Sequence, residues 1–365
     1  MKLVYFGTYN PSEILTGPEK VAKRVFDEYT KSEPAVLIEY FQDGSKYGRL
    51  KKLFGKEIVK SENGSEILRL GIFRIVTALF QIKPDIVHII TFERAAKLVY
   101  IFKNLLGYKI LFNLHGIVYY ENTELTPVER SLIAKNNKAE KIFIEKSDLL
   151  LYLSEFYIKI GLKYYRIENT KLKKIKNGVD EIFHGESGKS LNNNPLKVVF
   201  CGDIKRKDKG FSFLKESLEN IPFKIELYIV GSIKYDCNIG SKVKVVFAGF
   251  LDAKQLSEFY IDKDIFISAS YYDTFSIAAA EAMSSGLVPI VTYTTGLSEY
   301  IENGINGYKV DYGNTTDLIG KIEILSNDLT LRNSVSKESQ NIYSVLNWSE
   351  IIKSYKNIYK EILIS

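Results

Sequence analysis

The sequence is poor in the residues from which metal sites and disulfide frameworks are built. Its 365 residues include two cysteines, Cys201 and Cys237, and three histidines, His88, His115 and His184. Two cysteines are too few for a disulfide scaffold, and the dispersed histidines have no metal-ligand spacing. We therefore interpret the cysteines as buried reduced thiols, and we expect no metal and no cofactor.

Long apolar runs and disorder-promoting composition are also missing. The most apolar stretch, Leu98–Phe112, is interrupted by Lys103 and Gly107, and no run reaches the roughly 18 residues of a membrane-spanning helix. Residues 1–7 have the pattern of a strand and lack the features of a signal peptide. Prolines number eight and aromatic residues make up 13%, a composition typical of globular chains. The sequence predicts a cytoplasmic globular protein.

Positive charge is concentrated in the first half of the chain. Residues 1–180 hold 30 Lys or Arg and 21 Asp or Glu, whereas residues 181–365 hold 20 and 23. The stretch Lys159–Lys176 is the most basic and contains one acid, Glu168. One interpretation is a solvated helix face. The other is attraction to an anionic partner, such as a phosphorylated lipid, an acidic glycan or the inner face of a membrane. No nucleic-acid motif accompanies the charge, so we expect no nucleic-acid partner.

Short apolar runs alternate with longer amphipathic ones, which predicts parallel sheets with crossover helices. The predicted strands of the first half are Lys2–Phe6, Ala35–Phe41, Ile86–Ile90, Lys109–Asn113, Leu149–Leu153 and Leu172–Lys176. The predicted helices of the first half are Pro18–Lys31, Ser65–Gln81, Glu93–Leu106, Pro127–Lys146 and Glu155–Tyr165.

A Gly- and Asn-rich segment, Asn177–Pro195, breaks this rhythm and predicts a linker. The alternation then restarts with predicted strands Leu196–Cys201, Ile225–Val230, Val243–Phe247, Ile265–Ser268 and Val288–Val291. We predict two Rossmann-like doubly wound α/β domains, residues 1–180 and 181–348, with a closing helix at about 349–365 that packs back on the first domain. Ligands of such sheets bind beyond the carboxyl ends of the strands, so the predicted site is a cleft between the two sheets.

The segment Ser268–Glu281 has the composition of a ligand-binding turn. A predicted buried strand ends in small polar residues, and a helix follows from Ser276. The free N–H groups at a helix N-terminus attract phosphate. Glu281 stands on an Ala-rich helix, where a carboxylate needs polar partners. One interpretation is that Glu281 binds two vicinal ribose hydroxyls; the other makes Asp273 a helix cap and Glu281 a structural acid.

Four basic residues crowd the loop between Gly202 and Gly210: Lys205, Arg206, Lys207 and Lys209. The loop follows a predicted strand and precedes a helix, Phe211–Leu218. Such a loop can neutralise a diphosphate leaving group, although a plain basic surface loop is the alternative.

Two further loops lie in the first half. His115 follows the predicted strand Lys109–Asn113 beside Gly116, where it can hydrogen-bond a sugar hydroxyl or be a structural histidine. Gly17 lies in the loop Ile14–Glu19, where it lets the backbone approach a ligand. The loop lacks the Gly-x-Gly-x-x-Gly pattern of dinucleotide oxidoreductases.

Together these phrases resemble the retaining GT-B glycosyltransferases of family four. Members commonly carry two glutamates separated by seven residues, and here the phrase runs from Asp273 to Glu281 and continues Ala-Met-Ser-Ser-Gly-Leu-Val-Pro-Ile-Val291. Thr295-Gly-Leu-Ser-Glu299 and Asn303-Gly-Ile-Asn-Gly307 follow in the order of the family. Asn177-Gly-Val-Asp180 resembles its hinge phrase.

The resemblance implies roles for the candidate residues and no requirement for metal. Glu281 would bind the donor ribose, Asp273 the donor-sugar hydroxyls, and Lys209 the diphosphate. His115 would face the transferred sugar, and Gly17 would lie near the diphosphate. The catalytic candidates are His115, Lys209, Arg206 and Asp273. The donor-binding candidates are Gly17, Gly202, Lys205, Lys209, Phe250, Thr274, Phe275, Ser276, Ile277 and Glu281.

The expected activity is transfer of a hexose-type sugar from a nucleotide-diphosphate sugar to a glycan, lipid-linked or other acceptor. An anionic acceptor and peripheral membrane association through the basic first domain agree with the charge distribution. The family's first Glu is Asp273 here, its glycines are Thr274 and Ser276, and Asp203 stands in place of an Arg. These departures leave two alternatives open: a nucleotide-sugar epimerase on the same fold, and a non-catalytic partner subunit.

Overall fold

The chain forms two units, which we describe separately. A computed structural model describes residues 1–9, 16–41, 48–121, 127–184, 194–233 and 237–364. Unit 1 comprises Met1–Lys176 and Trp348–Ser365, and unit 2 comprises Asn177–Asn347. Residues 14 and 15 of the predicted Gly17 loop and residues 185–193 of the predicted linker lie outside the described ranges.

Unit 1 is built on a sheet of eight strands. Its strands are β1 (Leu3–Phe6), β2 (Ala35–Tyr40), β3 (Lys56–Lys60), β4 (Glu66–Leu70), β5 (Ile86–Ile89), β6 (Lys109–Asn113), β7 (Leu149–Tyr152) and β8 (Leu172–Lys174). They lie in the order β3-β4-β2-β1-β5-β6-β7-β8, and every neighbouring pair is parallel except β3 with β4. Because β1 and β5 are neighbours at the sheet centre, the strand order reverses between them, as in a doubly wound sheet.

Helices connect these strands. They are α1 (Gly17–Thr30), α2 (Arg49–Phe54), α3 (Ile72–Ile82), α4 (Lys97–Leu106), α5 (Val118–Glu121), α6 (Pro127–Lys146) and α7 (Glu155–Tyr164), with short 3-10 segments at Arg94–Ala96 and Asn169–Lys171. Strands β1, β5 and β6 are almost completely buried, which agrees with their near-continuous apolar sequences.

The predicted helix Ser65–Gln81 is wrong. Its first part is strand β4, and only the part from Ile72 onward is helical. Gly71 separates the two with an extended backbone (φ −77°, ψ 165°), and a Cβ at this position would lie 2.6 Å from the backbone carbon of Leu53. Strand β3, which pairs with β4 at the sheet edge, has the sequence Lys-Glu-Ile-Val-Lys with three charged residues, and we did not predict it.

Unit 2 contains a six-stranded, fully parallel sheet. Its strands are β9 (Leu196–Cys201), β10 (Ile225–Val230), β11 (Val243–Gly249), β12 (Ile265–Ser268), β13 (Val288–Thr292) and β14 (Tyr308–Val310), in the order β11-β10-β9-β12-β13-β14. This is the strand order of the Rossmann sheet. The short β14 was not predicted.

The helices of unit 2 pack on a core formed by the strands and by α8 and α11. They are α8 (Phe211–Leu218), α9 (Ala253–Tyr260), α10 (Ile277–Ser284), α11 (Thr315–Asn327), α12 (Leu329–Gln340) and α13 (Ile342–Leu346), with 3-10 segments at Glu181–Phe183, Lys207–Lys209 and Gly296–Tyr300. The prediction of two doubly wound α/β sheets is therefore confirmed. Within the described ranges, no helix combines the length and apolar character needed to cross a bilayer.

The last helix, α14 (Trp348–Ile364), belongs to unit 1 and packs against α1. One face of α14 is buried, and it carries two tyrosines, Tyr355 and Tyr359. This placement depends on a polar contact with the sheet as well as on apolar packing.

The hydroxyls of both tyrosines enter a buried chain of hydrogen bonds. His88 Nε2 lies 2.9 Å from the Asn113 side-chain oxygen, and His88 Nδ1 lies 2.8 Å from the Tyr359 hydroxyl. The amide oxygen can only accept, so Nε2 carries the proton and Tyr359 donates to Nδ1. Tyr5 then donates to Tyr359 across 2.9 Å, and Asn113 donates to the Tyr355 hydroxyl across 3.2 Å. Burial lowers the pKa of His88 to about 4, which agrees with this neutral ring.

Candidate functional site

The strand order of unit 2 reverses between β9 and β12. The loops that leave the carboxyl ends of these two neighbouring strands therefore run in opposite directions, which opens a crevice at this point of the sheet. Residues 202–210 follow β9, and residues 269–276 follow β12 and lead into α10. The strongest site candidates of the sequence lie in these two loops.

Gly210 fixes the two loops to each other. A Cβ on Gly210 would lie 1.8 Å from the carbonyl oxygen of Ala269, and its φ of +70° suits glycine. One backbone hydrogen bond adds to this contact, from the N–H of Tyr271 to the carbonyl oxygen of Asp208 at 3.1 Å. The basic loop after β9 is thus a fixed part of the crevice wall.

Lys209 crosses from the first loop to the second. Its Nζ donates to Asp273 Oδ2 at 2.9 Å, and 26% of the lysine side chain and 13% of the aspartate side chain are exposed. The aliphatic part of Lys209 passes over Gly202, where a Cβ would lie 3.4 Å from Lys209 Cγ. The sequence places both charged residues in one site, and the structure joins them as an ion pair across 64 residues of sequence.

The second oxygen of Asp273 faces the start of α10. Asp273 Oδ1 accepts the backbone N–H groups of Phe275 at 3.1 Å and Ser276 at 2.9 Å. Asp273 therefore stabilises the turn directly before α10, whose own N-cap residue is Ser276. Phe275 and Ser276 are also donor-binding candidates of the resemblance, so a bound ligand would share their N–H groups with Asp273 or replace it.

Both partners of the ion pair favour their charged forms. The charge of Asp273 outweighs desolvation and raises the pKa of Lys209. Burial alone would raise the pKa of Asp273, but the charge and hydrogen bond of Lys209 and the two backbone N–H donors outweigh it, so this pKa is lowered. The site therefore presents a fixed cation beside a fixed carboxylate.

The segment after β13 holds the Asp273 loop in place. The N–H of Asp273 donates to the carbonyl of Thr294 at 3.2 Å, and the N–H of Gly296 donates to the carbonyl of Asp273 at 2.9 Å. A third bond joins the N–H of Leu297 to the carbonyl of Phe275 at 2.8 Å. The sequence analysis gave the phrase Thr295–Glu299 no role. The small polar residues at the end of β13 are the sequence feature from which this role could have been predicted.

Ser276 has a left-handed backbone, with φ 72° and ψ 76°. Within the described ranges, the one other non-glycine residue with positive φ is Lys83. The Ser276 hydroxyl lies 3.4 Å from that of Ser268. A serine with this geometry is strained, and the strain lies directly before the first residue of α10.

Glu281 lies on α10, and 2% of its surface is exposed. Its charge contributes to a raised pKa of Tyr260, for which burial is the larger cause. Tyr260 ends α9 and is fully buried. The structure thus places Glu281 in the interior of unit 2 near a tyrosine that the sequence analysis did not consider.

The other candidates of unit 2 lie around this core of the site. Arg206 forms two hydrogen bonds with the carboxylate of Asp208, at 3.1 and 2.5 Å, and its charge lowers the pKa of Lys209 against the larger effect of Asp273. Lys205 is exposed. Phe250 is also exposed and follows β11, three strands from β12. Thr274 and Ile277 flank the two N–H groups that Asp273 accepts.

Two candidates belong to unit 1, at the carboxyl ends of its strands. Gly17 opens α1, whose start is stabilised by a bond from the Thr16 N–H to Glu19 at 2.9 Å. His115 follows β6, and its Nε2 lies 2.6 Å from the carbonyl oxygen of Ile90. A carbonyl accepts, so Nε2 is protonated, and burial lowers the His115 pKa to about 4.

The loop that carries His115 is held by a buried carboxylate. Glu140 accepts the N–H groups of Val118 at 2.7 Å and Tyr119 at 3.2 Å, and it also accepts the Tyr165 hydroxyl. The sequence analysis missed Glu140, which is 1% exposed on α6.

Across the described parts of the chain, no three His, Cys, Asp or Glu side chains group as metal ligands.

Comparisons with known proteins bear on both units. A family model of glycosyl transferases group 1 matches residues 185–342, and a model of Glycosyltransferase Family 4 matches residues 44–182. An uncharacterized glycosyltransferase of Methanocaldococcus jannaschii is 31% identical over 173 residues, so that the match spans 45% of this chain and 44% of that protein. The capsular polysaccharide biosynthesis glycosyltransferase CapM of Staphylococcus aureus is 25% identical over 276 residues, which are 70% of this chain and 67% of that protein.

Solved structures share the fold. Sucrose-phosphate synthase from Thermosynechococcus elongatus superposes with a TM-score of 0.78 at 13% identity, over 100% of both chains. The Anabaena protein HepE in complex with UDP-glucose superposes with a TM-score of 0.73 at 17% identity, over 99% of this chain and 100% of that chain.

Proposed function

The chain belongs to the GT-B glycosyltransferases of family four, and from this premise we propose that it transfers a hexose-type sugar from a nucleoside diphosphate sugar, with retention of configuration. One observation carries the proposal. Where the strand order of the unit 2 sheet reverses, Lys209 and the backbone N–H groups of Phe275 and Ser276, directly before α10, converge on Asp273. Cations and backbone N–H groups that converge on a carboxylate can also converge on a diphosphate.

In this proposal the donor diphosphate competes with Asp273 for its partners. A diphosphate carries more negative charge than one carboxylate and offers more acceptor oxygens. Lys209 can therefore turn from Asp273 to the diphosphate, and the N–H groups of Phe275 and Ser276 can do the same. Asp273 is then left to accept hydrogen bonds from hydroxyls of the donor sugar.

Glu281 is proposed to bind the ribose. The resemblance implies this role, and a carboxylate can accept hydrogen bonds from two vicinal hydroxyls at once. The HepE structure contains UDP-glucose, which makes UDP sugars the first donors to test.

The proposed reaction breaks the bond between the anomeric carbon and the β-phosphate oxygen. The acceptor oxygen forms a bond to the same face of that carbon, and the acceptor proton passes to the leaving phosphate oxygen. Lys209 stabilises the negative charge that develops on this oxygen. His115 enters as a neutral ring, since burial lowers its pKa to about 4, and a neutral ring suits contact with the uncharged donor sugar.

The proposal is tested by donor binding. Thermal unfolding would be measured with UDP, ADP, GDP and their glucose conjugates, because a ligand that binds only the folded protein raises the unfolding temperature. We expect one nucleotide series to stabilise the protein. Glu281→Gln should weaken that binding about tenfold or more, because the charged acceptor becomes neutral. The matched control is Glu323→Gln, an exposed change on α11, which should bind as the wild type does.

Product analysis separates the alternatives. NMR of the product should show that the anomeric configuration of the donor is kept, and a chelator should leave the rate unchanged. Isomerisation of the donor sugar without an acceptor would indicate an epimerase. A folded protein that binds no nucleotide would contradict the donor site and favour a non-catalytic subunit.

A further inference from the structure

Three helices of unit 1 expose apolar side chains of a size that is normally buried. Their exposed apolar residues are Leu50 and Phe54 on α2, Phe73 and Phe80 on α3, and Ile101 and Leu105 on α4. Leu50 is 75% exposed, Leu105 70% and Ile101 67%. We call these six residues the apolar surface of unit 1. Scattered exposed leucines are ordinary, whereas an exposed apolar group on adjacent helices marks an interaction site.

Ring contacts make this surface continuous. The rings of Phe54 and Phe73 stack with centroids 4.9 Å apart and planes at 9°, which joins α2 to α3. Phe80 meets Phe102 edge to face at 5.6 Å, which joins α3 to α4. Phe73 and Phe80 are seven residues apart and so lie on one face of α3. The surface therefore extends across all three helices.

Charge of one sign accompanies the apolar side chains. The three helices contain six Lys or Arg residues and no Asp or Glu: Arg49, Lys51, Lys52, Arg74, Lys97 and Lys103. Lys51 lies 3.6 Å from Glu57, and Lys103 lies 2.8 Å from Asp148. Arg49 and Arg74 are both exposed.

The basic stretch 159–176 contains an acid of its own, Glu168. Three of its lysines have acidic neighbours: Lys171 with Glu168 at 3.4 Å, Lys173 with Glu361 at 2.8 Å, and Lys174 with Glu155 at 3.7 Å. The charge of this stretch is thus partly neutralised within unit 1, whereas helices α2, α3 and α4 contain no acidic residue.

We propose that helices α2, α3 and α4 dock the protein on an anionic membrane surface. Apolar and aromatic side chains enter the boundary between headgroups and acyl chains, while flanking Lys and Arg meet anionic headgroups. The three helices supply both components, and none of them contains an acid that would repel such lipids. This inference goes beyond the proposed sugar transfer. It uses residues of unit 1 alone, so its test is independent of the test of the donor site.

The test is flotation of the full chain with lipid vesicles. One vesicle preparation is phosphatidylcholine, and the other contains equal parts of phosphatidylcholine and phosphatidylglycerol. We expect the protein to float with the anionic vesicles, to float poorly with the neutral ones, and to lose binding as salt is added. No flotation with anionic vesicles would overturn the proposal.

Two pairs of variants locate the docking face. Leu50→Ser with Ile101→Ser should weaken vesicle binding at least about tenfold, because two apolar side chains no longer enter the membrane. The control is Ile233→Ser with Ile261→Ser in unit 2, since Ile233 and Ile261 are 75% and 67% exposed, the same values as for Leu50 and Ile101. The control should bind vesicles as the wild type does.

Charge reversal gives the second pair. Arg49→Glu with Arg74→Glu should weaken binding at least about 30-fold, as expected when two cations near a charged surface are lost. Lys159→Glu with Lys163→Glu makes the same charge change on α7 and should have a much smaller effect. Equal losses of vesicle binding in the two charge-reversal variants would mean that only the net charge of the protein matters. That result would contradict the assigned face. So would a change of oligomeric state in the Leu50/Ile101 variant, measured by light scattering, with vesicle binding unchanged.

Discussion

Two buried aspartates of this protein have opposite pKa shifts. Asp27 in unit 1 accepts the Tyr9 hydroxyl through both oxygens, at 3.1 and 3.2 Å, and burial raises its pKa to about 6. Asp273 in unit 2 meets Lys209 and two backbone N–H groups, and its pKa is lowered despite burial. The difference shows that the partners of a buried carboxyl, more than its burial, decide whether it is charged.

The contrast extends beyond these two residues. In unit 1, burial lowers the pKa of His88 and His115 to about 4 and raises that of Glu140, so each favours its neutral form. In unit 2, the crevice between the loops after β9 and β12 keeps a lysine and an aspartate charged. A fixed cation suits a site for a diphosphate, whereas neutral groups suit the binding of hydroxyls.

The largest effect is expected when the cation of the unit 2 site, Lys209, is removed. Lys209→Met keeps an unbranched stem over Gly202 and deletes the charge beside Asp273. We expect kcat to fall about 100- to 1,000-fold, because a placed donor to the leaving group contributes this much to catalysis. Steady-state rates with the donor identified by thermal shift would measure the loss.

Lys207→Ala is the matched control, since Lys207 is an exposed cation of the same loop. It should retain most of the activity. An equal loss in both variants would mean that the total charge of the loop matters and that the pairing with Asp273 does not.

A smaller effect is expected when the carboxyl of unit 1 with the raised pKa is replaced. Asp27 has a folded pKa of about 6 against an ordinary value of 3.8, so the folded state holds the proton more tightly than the unfolded state between these values. Its contribution to stability is present below about pH 4 and is lost as pH rises through 6. Asp27→Asn lacks this loss. The free energy of unfolding of the variant relative to wild type should therefore rise by about 2 kcal/mol between pH 4 and pH 7.

Urea unfolding at several pH values would measure this difference. Glu33→Gln, an exposed change after α1, serves as the control and should give a difference that does not vary with pH. If Asp27→Asn behaved in the same way, folding would leave the pKa of Asp27 unchanged, and the contrast with Asp273 would disappear.

The smallest expected effect concerns the strained start of α10. Ser276→Gly removes the cost of a left-handed serine, about 1–2 kcal/mol, and adds the chain entropy of glycine, about 0.5–1 kcal/mol. We expect a net stabilisation of up to about 1 kcal/mol, measured by urea unfolding.

Ser257→Gly on α9 makes the same substitution at a right-handed helical position and should destabilise the protein by a similar amount. If Ser276→Gly were also destabilising, the contact between the hydroxyls of Ser268 and Ser276 would outweigh the backbone strain.

The sequence predicted unit 2 more closely than the edge of unit 1. Strands β9, β10 and β12 have their predicted bounds, because each is a short run with at most one polar residue. Ser65–Gln81 was wrong because β4 and α3 are both apolar, and Gly71 alone marks their boundary. Strand β3 carries charged residues at the sheet edge, where pairing with β4 outweighs its low strand propensity.

The candidate site was predicted as a set of residues and not as a geometry. Motif order placed Lys209, Asp273 and Glu281 in one region of unit 2, but no sequence pattern shows that Lys209 pairs with Asp273 or that Asp273 accepts two backbone N–H groups. The N–H groups that Asp273 accepts belong to Phe275 and Ser276, directly before α10. These contacts depend on how the loops after β9 and β12 meet, which Gly210 and the backbone after β13 determine. The proposed roles of these residues remain predictions until donor binding is measured.

The chain enters unit 1 twice, which has a consequence for synthesis. Unit 2 is inserted between Lys176 and Trp348, and the N–H of Val179 donates to the carbonyl of Leu346 at 2.7 Å, next to both crossing points. The Tyr5 hydroxyl and the His88 ring both bond Tyr359, which a ribosome adds only after all of unit 2. Strand β1 is therefore synthesised well before the unit to which it belongs can be completed.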